Sequence, residues 1–177
     1  MSPELYEFNP VSSITIGSIG RPGHRTFFLQ VSGEGRTISL KMEKEQVAAL
    51  AHGIDRILEE LEQQEVRPTS AAEEPELPEL DEQEAEFPTF VVGQIGLGFD
   101  QTSRMMVLVV QGFPLSEEEE PGMARLWVSP GQMRALSRRA KDVVAQGRPI
   151  CPLCHQPIDP EGHFCPRSNG HNKGQPM

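Results

Sequence analysis

A chain of 177 residues with 37% hydrophobic residues is long enough for one ordinary domain with a small appendage, and its formal net charge of −10 argues against an evenly basic nucleic-acid-binding surface. No run of eighteen apolar residues occurs and residues 1–9 are polar and acidic, so neither a membrane span nor a secretory signal is expected. All three cysteines lie after residue 150. An odd number confined to one cluster is a poor disulfide framework, and we therefore expect a cytoplasmic protein.

Residues 1–64 are predicted to form three strands followed by a helix. Alternating apolar residues lead into the Gly-Ser-Ile-Gly of residues 17–20, a second apolar run extends from Arg25 to Gly33, and a third surrounds Leu40. The helix that follows carries an apolar stripe at i, i+3, i+4 spacing, formed by Ala49, Leu50, Ile54 and Ile57.

Residues 65–88 are rich in Glu, Pro, Ala and Gln. Repelling charges and prolines leave such a segment unable to offset the entropy of ordering, so we predict a disordered acidic linker. Leu77, Leu80 and Phe87 are its scattered apolar points, and a passive spacer is favoured over a partner-binding role.

Residues 89–148 repeat the order of the first 64. Gly-Gln-Ile-Gly at residues 93–96 matches residues 17–20, the run from Arg104 to Gly112 matches the run that Arg25 opens, and Leu126 matches Leu40. The second helix begins after the natural N-cap Ser129 and repeats the apolar stripe with Ala135, Leu136, Ala140 and Val143.

The predicted fold class is therefore α+β, with internally duplicated β-β-β-α units that form a shared, mostly antiparallel sheet and a small zinc-ribbon-like tail at the C-terminus. A three-stranded sheet with one helix exposes its other face, so we expect the halves to pack about a pseudo-twofold axis, as one continuous sheet or a half-open barrel. The rival reading is chance likeness between amphipathic elements.

The tail, residues 149–177, carries the most specific chemical signal. Cys151 and Cys154 form a Cys-x-x-Cys pair of the kind that recurs in structural zinc sites, and Cys165 follows in the same polar segment. Because a segment so short and polar cannot bury a core of its own, we predict that a structural Zn²⁺ holds it. A redox pair would need a helix N-terminus within a βαβ unit, which is not predicted.

Three histidines compete for the fourth ligand position. His163 is separated from Cys165 by one residue, so in an extended segment both side chains leave the same face. His171 is reachable through a loop, and His155 follows the Cys-x-x-Cys turn directly, where it would point outwards. We favour the set Cys151, Cys154, His163 and Cys165, with His171 as the alternative to His163. Four protein ligands make a closed, structural site, whereas catalytic zinc would need water in place of a histidine.

Two further groups of residues invite functional readings. Arg21, His24 and Arg25 share one loop and together would suit an anion, although charged residues around Pro-Gly turns are common. The second predicted helix carries Arg134, Arg138 and Lys141, which we read as a solvated face rather than an anion-binding patch. No Ser-His-Asp set or carboxylate pair points to catalysis.

Taken together, the Gly-x-Ile-Gly strands, the acidic insert and the Cys-Pro-Leu-Cys-His-Gln-Pro-Ile-Asp-Pro-Glu-Gly-His-Phe-Cys-Pro-Arg-Ser-Asn-Gly-His of residues 151–171 carry a resemblance. The chain resembles a family of uncharacterised bacterial proteins, frequent in actinobacteria and catalogued only as a domain of unknown function. The resemblance implies a small intracellular protein with a zinc-binding-like motif at its C-terminus. It implies no activity, substrate or catalytic residue.

The function favoured by these observations is that of a non-enzymatic cytoplasmic zinc-binding protein, an interaction or adaptor protein that binds a protein partner. One alternative is nucleic-acid binding through the zinc tail and the basic second helix. The other is an enzyme that acts on a phosphorylated small molecule through Arg21, His24 and Arg25.

Overall fold

The computed structural model describes residues 4–21, 23–64, 74–114, 116–118 and 120–146. The strands are β1 (Leu5–Phe8), β2 (Ser13–Ile19), β3 (Thr26–Gly33), β4 (Arg36–Met42), β5 (Phe90–Asp100), β6 (Met105–Gly112) and β7 (Met123–Val128), and the helices are α1 (Lys44–Gln63), α2 (Glu82–Ala85) and α3 (Pro130–Gln146). We call β2–β4 with α1 the first half and β5–β7 with α3 the second half.

The strands form one seven-stranded sheet in the order β1-β7-β6-β5-β4-β3-β2. Neighbouring strands within each half are antiparallel, whereas β4 joins β5 in parallel through Leu40–Phe90 and Lys41–Val91, and β1 runs parallel to β7. The predicted mixed α+β class with a mostly antiparallel sheet is confirmed. Strand β1 is an addition that the sequence did not predict.

The two edges of the sheet approach each other at the connection between β1 and β2. The backbone N–H of Val11 donates to the carbonyl of Trp127 on β7 over 2.9 Å, and the N–H of Ser12 donates to the carbonyl of Ser32 on β3 over 2.8 Å. Residues 11–12 therefore bond to β7, next to one edge strand, and to β3, next to the other, and the sheet curves towards a barrel at this end.

One face of the sheet, the inner face, packs against α1 and α3. Leu29, Leu40, Leu108 and Leu126 are fully buried there, together with Ile54 of α1 and Met133 and Leu136 of α3. Each such side chain contributes about 1.5–3 kcal/mol on leaving water. Helix α1 lies against β5 and α3 lies against β2, so each half places its helix on the first strand of the other half.

Both long helices begin with the same hydrogen bond, in which a glutamine side chain accepts from the backbone N–H of the N-cap residue. The Gln46 side-chain oxygen accepts from the backbone N–H of Glu43 over 2.8 Å, and the Gln132 side-chain oxygen accepts from the N–H of Ser129 over 3.1 Å. The hydroxyl of Ser129 accepts in return from the N–H of Gln132 over 3.1 Å, so the expected N-cap is present.

Strand register corrects one detail of the predicted repeat. Leu29 of β3 lies between Ile16 and Leu40, and Leu108 of β6 lies between Leu97 and Leu126 in the same way. This register places Gly17 opposite Phe28 and Gly98 opposite Val107, so the structural counterpart of Gly17 is Gly98 and not Gly93. The two Gly-x-Ile-Gly motifs therefore do not occupy equivalent positions: the motif lies five residues earlier in β5 than in β2, relative to the paired central strand.

Residues 74–89, which we call the covering segment, begin beside α3, where Glu74 pairs with Arg138, and continue over the outer face of the first half, the side of β2–β4 opposite the helices. A side chain at Gly17 would meet Leu80 at 3.1 Å. The Gln30 amide donates to the carbonyl of Asp81 over 2.7 Å and accepts from its N–H over 2.8 Å, and the N–H of Thr89 donates to the carbonyl of Ser39 over 2.7 Å. Beneath the segment, Thr15, Phe28, Gln30 and Ser39 are buried.

This arrangement differs from the disordered linker predicted for residues 65–88, of which residues 65–73 lie outside the described part. The covering segment is held at a few points: Leu77 joins the core, Ala85 is buried, and the Asp81 carboxylate accepts from the N–H groups of Gln83 and Glu84 to begin α2. Composition averages charge over the whole segment, so it cannot detect the few residues that anchor it.

Replacing Leu77 by Ala tests this docking. Because the side chain is only 9% exposed, we expect Leu77→Ala to lower the free energy of unfolding by about 2–3 kcal/mol, measured by urea denaturation. Phe87→Ala in the same segment is the matched control: its side chain is 80% exposed, so its effect should stay below about 0.5 kcal/mol. Equal effects of the two substitutions would contradict a docked segment.

Candidate functional site

The predicted zinc ligands Cys151, Cys154, His163 and Cys165, and the alternative His171, all lie outside the described residues. Within the described ranges, which end at residue 146, no group of three or more His, Cys, Asp or Glu side chains is placed to hold a metal ion. The zinc site thus stays a prediction from the sequence.

The predicted anion-binding residues lie on the connection between β2 and β3. The N–H of His24 donates to the carbonyl of Arg21 over 2.8 Å, and Gly20 has the positive φ of 114° that this turn requires. The Arg25 guanidinium donates to the Ser18 hydroxyl over 2.9 Å. Arg21 and His24 are exposed, while Arg25 is half-buried and bonds to its own hairpin.

The basic residues of α3 pair with groups of the same chain. Arg134 pairs with Glu62 of α1 at 3.7 Å, and Arg138 pairs with Glu74 of the covering segment at 2.6 Å. Arg139 donates to the carbonyl of Leu77 over 3.4 Å. These bases therefore join α3 to α1 and to the covering segment, and they offer an external anion much less charge than the sequence suggests.

The contact between α1 and α3 has a polar centre. The buried Ser137 hydroxyl lies 2.6 Å from a carboxylate oxygen of Asp55 and 3.3 Å from the carbonyl of Ala51, and Lys141 pairs with the other oxygen of Asp55. Burial by itself would raise the pKa of Asp55. The hydrogen bonds from Lys141 and Ser137 and the charge of Lys141 outweigh it, so the pKa of Asp55 is lowered.

A cleft of about 240 Å³ opens beside this contact. It is lined by Ala48, Ala51, His52, Lys141, Val144 and Ala145. Its volume is below the roughly 300–1,000 Å³ of typical small-molecule sites. His52 and Lys141 are the titratable groups of the lining, and they do not form a nucleophile with a base and an orienting group.

A surface that the sequence analysis missed lies on the outer face of the second half, the side of β5–β7 opposite the helices. Val107 lies between Gly98 and Trp127, and Val109 lies between Gly96 and Arg125. Met105–Val110 is apolar at every position, a pattern typical of strands covered on both faces, and this signal in the sequence could have revealed the surface.

Trp127 is fixed on this surface by Asp100. The Asp100 carboxylate accepts from the N–H of Thr102 over 2.9 Å, from the Ser103 hydroxyl over 3.0 Å and from the indole N–H of Trp127 over 3.3 Å. These hydrogen bonds, led by the one from Thr102, lower the pKa of Asp100. The result is a half-buried aromatic ring that is hydrogen-bonded to Asp100 and lies in the same row as Val107 and Gly98.

The chain belongs to a family described as Protein of unknown function (DUF3090), whose profile matches residues 6–165. The match covers both halves, the covering segment and the sequence through Cys165. No curated protein and no solved structure matches the chain. Among the described helices, none is long and apolar enough to cross a membrane.

Asp55→Asn tests the polar centre between the helices. Because its folded pKa lies below the unfolded value of about 4, the Asp55 carboxylate adds stability above about pH 4 and loses this contribution as the pH falls through the folded pKa. Asn keeps an acceptor for Ser137 and removes the charge beside Lys141. We expect a loss of about 0.5–1 kcal/mol at pH 7, since both partners are partly exposed, and a smaller loss at pH 3.

The control is Asp142→Asn, which removes an exposed carboxylate from α3. Urea denaturation at pH 7 and pH 3 gives the four free-energy differences needed. A loss for Asp55→Asn that is the same at both pH values would contradict the ionic contribution of Asp55.

Proposed function

We propose that the protein is a non-enzymatic zinc-binding interaction protein, in which Cys151, Cys154, His163 and Cys165 hold one structural Zn²⁺. The observation that carries the proposal is the pattern Cys-x-x-Cys followed by His-x-Cys in a segment with few apolar residues. Zn²⁺ bound by four protein ligands has no open position for substrate or water, so it supplies folding energy rather than chemistry.

The choice of His163 over His171 has support beyond spacing. The family match ends at Cys165, so it takes in all four proposed ligands and leaves out His171. His163 also needs no long loop to reach the ion that Cys165 binds. His171 is the alternative that metal binding by variants distinguishes.

The absence of a catalytic set among the described residues supports an interaction role over an enzymatic one. The cleft between α1 and α3 is small, and Arg25 of the predicted anion loop bonds to its own hairpin. The α3 bases that nucleic-acid binding would need are paired with Glu62, Glu74 and Asp55. A protein partner therefore fits these surfaces better than a phosphate backbone does.

We further propose a cytoplasmic location, because thiolate ligands must stay reduced and a reducing compartment keeps them so. We also keep the proposal that the two halves arose by duplication. It is supported by the matching registers around Leu29 and Leu108 and by the glutamine caps at the start of both helices.

Zinc content tests the proposed site. Native mass spectrometry of protein purified without added metal should give one zinc per chain. Cys151→Ser and His163→Ala should each lower zinc affinity by at least about tenfold, while His155→Ala, a neighbouring histidine outside the set, should bind zinc as the wild type does. Wild-type zinc binding by His163→Ala together with loss in His171→Ala would transfer the fourth position to His171.

The interaction role needs a separate readout. Proteins that co-purify with the wild type should be lost from Cys151→Ser and retained by His155→Ala, at equal amounts of folded bait. Identical sets of captured proteins from all three baits would refute the role, even where one zinc per chain is found.

A further inference from the structure

The outer faces of the two halves are covered to different extents by the described residues. In the first half, Gly17, Phe28 and Lys41 form one row, in which Gly17 lies beneath Leu80 of the covering segment and Phe28 is 6% exposed. In the second half, the matching row is formed by Gly98, Val107 and Trp127. No described atom lies within 4 Å of a Cβ built on Gly98.

The uncovered face carries an apolar patch that is interrupted by the exposed side chains of Arg125, Gln111 and Glu7. Met105, Val107, Val109, Met123 and Trp127 are half-buried on it, and Leu5 of β1, paired with Met123, is 47% exposed. None of these residues reaches the burial of Thr15, Phe28, Gln30 and Ser39 in the first half. A sheet face with this composition is typically covered in the native protein.

The order of the chain indicates what covers it. In the first half, the residues that follow α1 return to cover the outer face. Helix α3 holds the matching place in the second half, and residues 147–177 follow it. These residues outnumber the ones that connect Gln63 to Leu77, so the chain is long enough for the same course.

The position where α3 ends also allows the following residues to reach the uncovered face. Val144 and Ala145 line the cleft together with Ala48, so the end of α3 lies beside the start of α1. Gln46 at the start of α1 donates to the carbonyls of Val92 over 3.1 Å and Gly93 over 3.3 Å. The chain therefore leaves α3 near the beginning of β5, the strand that contributes Gly96 and Gly98 to the uncovered face.

The composition of the tail complements the face. Its apolar residues are spaced along the segment and are too few to bury a core of their own: Ile150, Leu153, Ile158, Phe164 and Met177.

We propose that residues 149–177 pack against the outer face of the second half, over Val107, Val109 and Trp127, as the covering segment packs against the first half. The occupant is this chain's own tail. The proposal does not depend on zinc, because it rests on the sheet face and the course of the chain.

Trp127, the only tryptophan, lies at the proposed contact and reports on it directly. In the full-length protein, we expect Gly98→Glu to displace the tail, to shift the emission of Trp127 to longer wavelength and to increase acrylamide quenching by about twofold. The substitution has open space among the described residues and no positive φ to oppose it. Gln101→Glu, which adds the same charge in an exposed turn, should leave emission and quenching unchanged.

A second measurement keeps the test independent of that variant. A specific protease site inserted after Gly147 allows the tail to be cut from protein that has already folded, and dilution after cutting should expose Trp127 as Gly98→Glu does. Unchanged quenching after both treatments would overturn the proposal. So would a wild-type dimer in light scattering whose dissociation alone exposes Trp127, because a second copy would then be the occupant.

Zinc content and quenching, measured on the same sample, separate this proposal from the zinc site. Protection of Trp127 in protein that binds no zinc even when zinc is added would support the packing and refute the zinc site. One zinc per chain with a fully quenchable Trp127 would do the reverse.

Discussion

The fold depends on the exchange of helices between its halves. Helix α1 packs on β5 and α3 packs on β2, and the two helices meet along the seam where Ser137 bonds to Asp55 and Ala51. A three-stranded sheet covered by its own single helix would leave too little apolar surface buried, whereas here both helices and all seven strands contribute to one core. The parallel pairing of β4 with β5 joins the two halves into one sheet and places β5 beside the strand that leads into α1.

Much of this body could be read from the sequence, because its signals are local. Alternation predicts β2–β7, and the spacing of Leu50 and Ile54 or of Leu136 and Ala140 predicts α1 and α3. Strand β1 escaped notice because four residues carry too little pattern. The covering segment escaped because Gln30 and Leu77 anchor it through contacts with distant strands, which composition does not encode. Matching residues 17–20 to residues 93–96 gave the wrong structural equivalence for Gly17, because strand register is set by the partner strand and not by the glycine motif.

The zinc prediction has a different basis, since it rests on ligand chemistry and spacing in residues beyond the described part. The structure changes the interpretation of the basic residues on α3. Arg134, Arg138 and Lys141 suggest a basic helix in the sequence, yet each meets a carboxylate from elsewhere in the chain. A run of bases on a helix is a binding surface only where its own protein leaves it unpaired, and that pairing is a property of the tertiary fold.

The way β1 and the covering segment are placed makes the two parts of the chain interdependent. Strand β1 precedes the first half in sequence but completes the second half by pairing with β7, and the covering segment precedes the second half but protects the first. A break in the backbone between Gln64 and Glu74 would therefore leave two fragments, each holding an element that the other needs. Such fragments are suited to reassembly from separate polypeptides, and this gives the chain a natural position for a split-protein reporter.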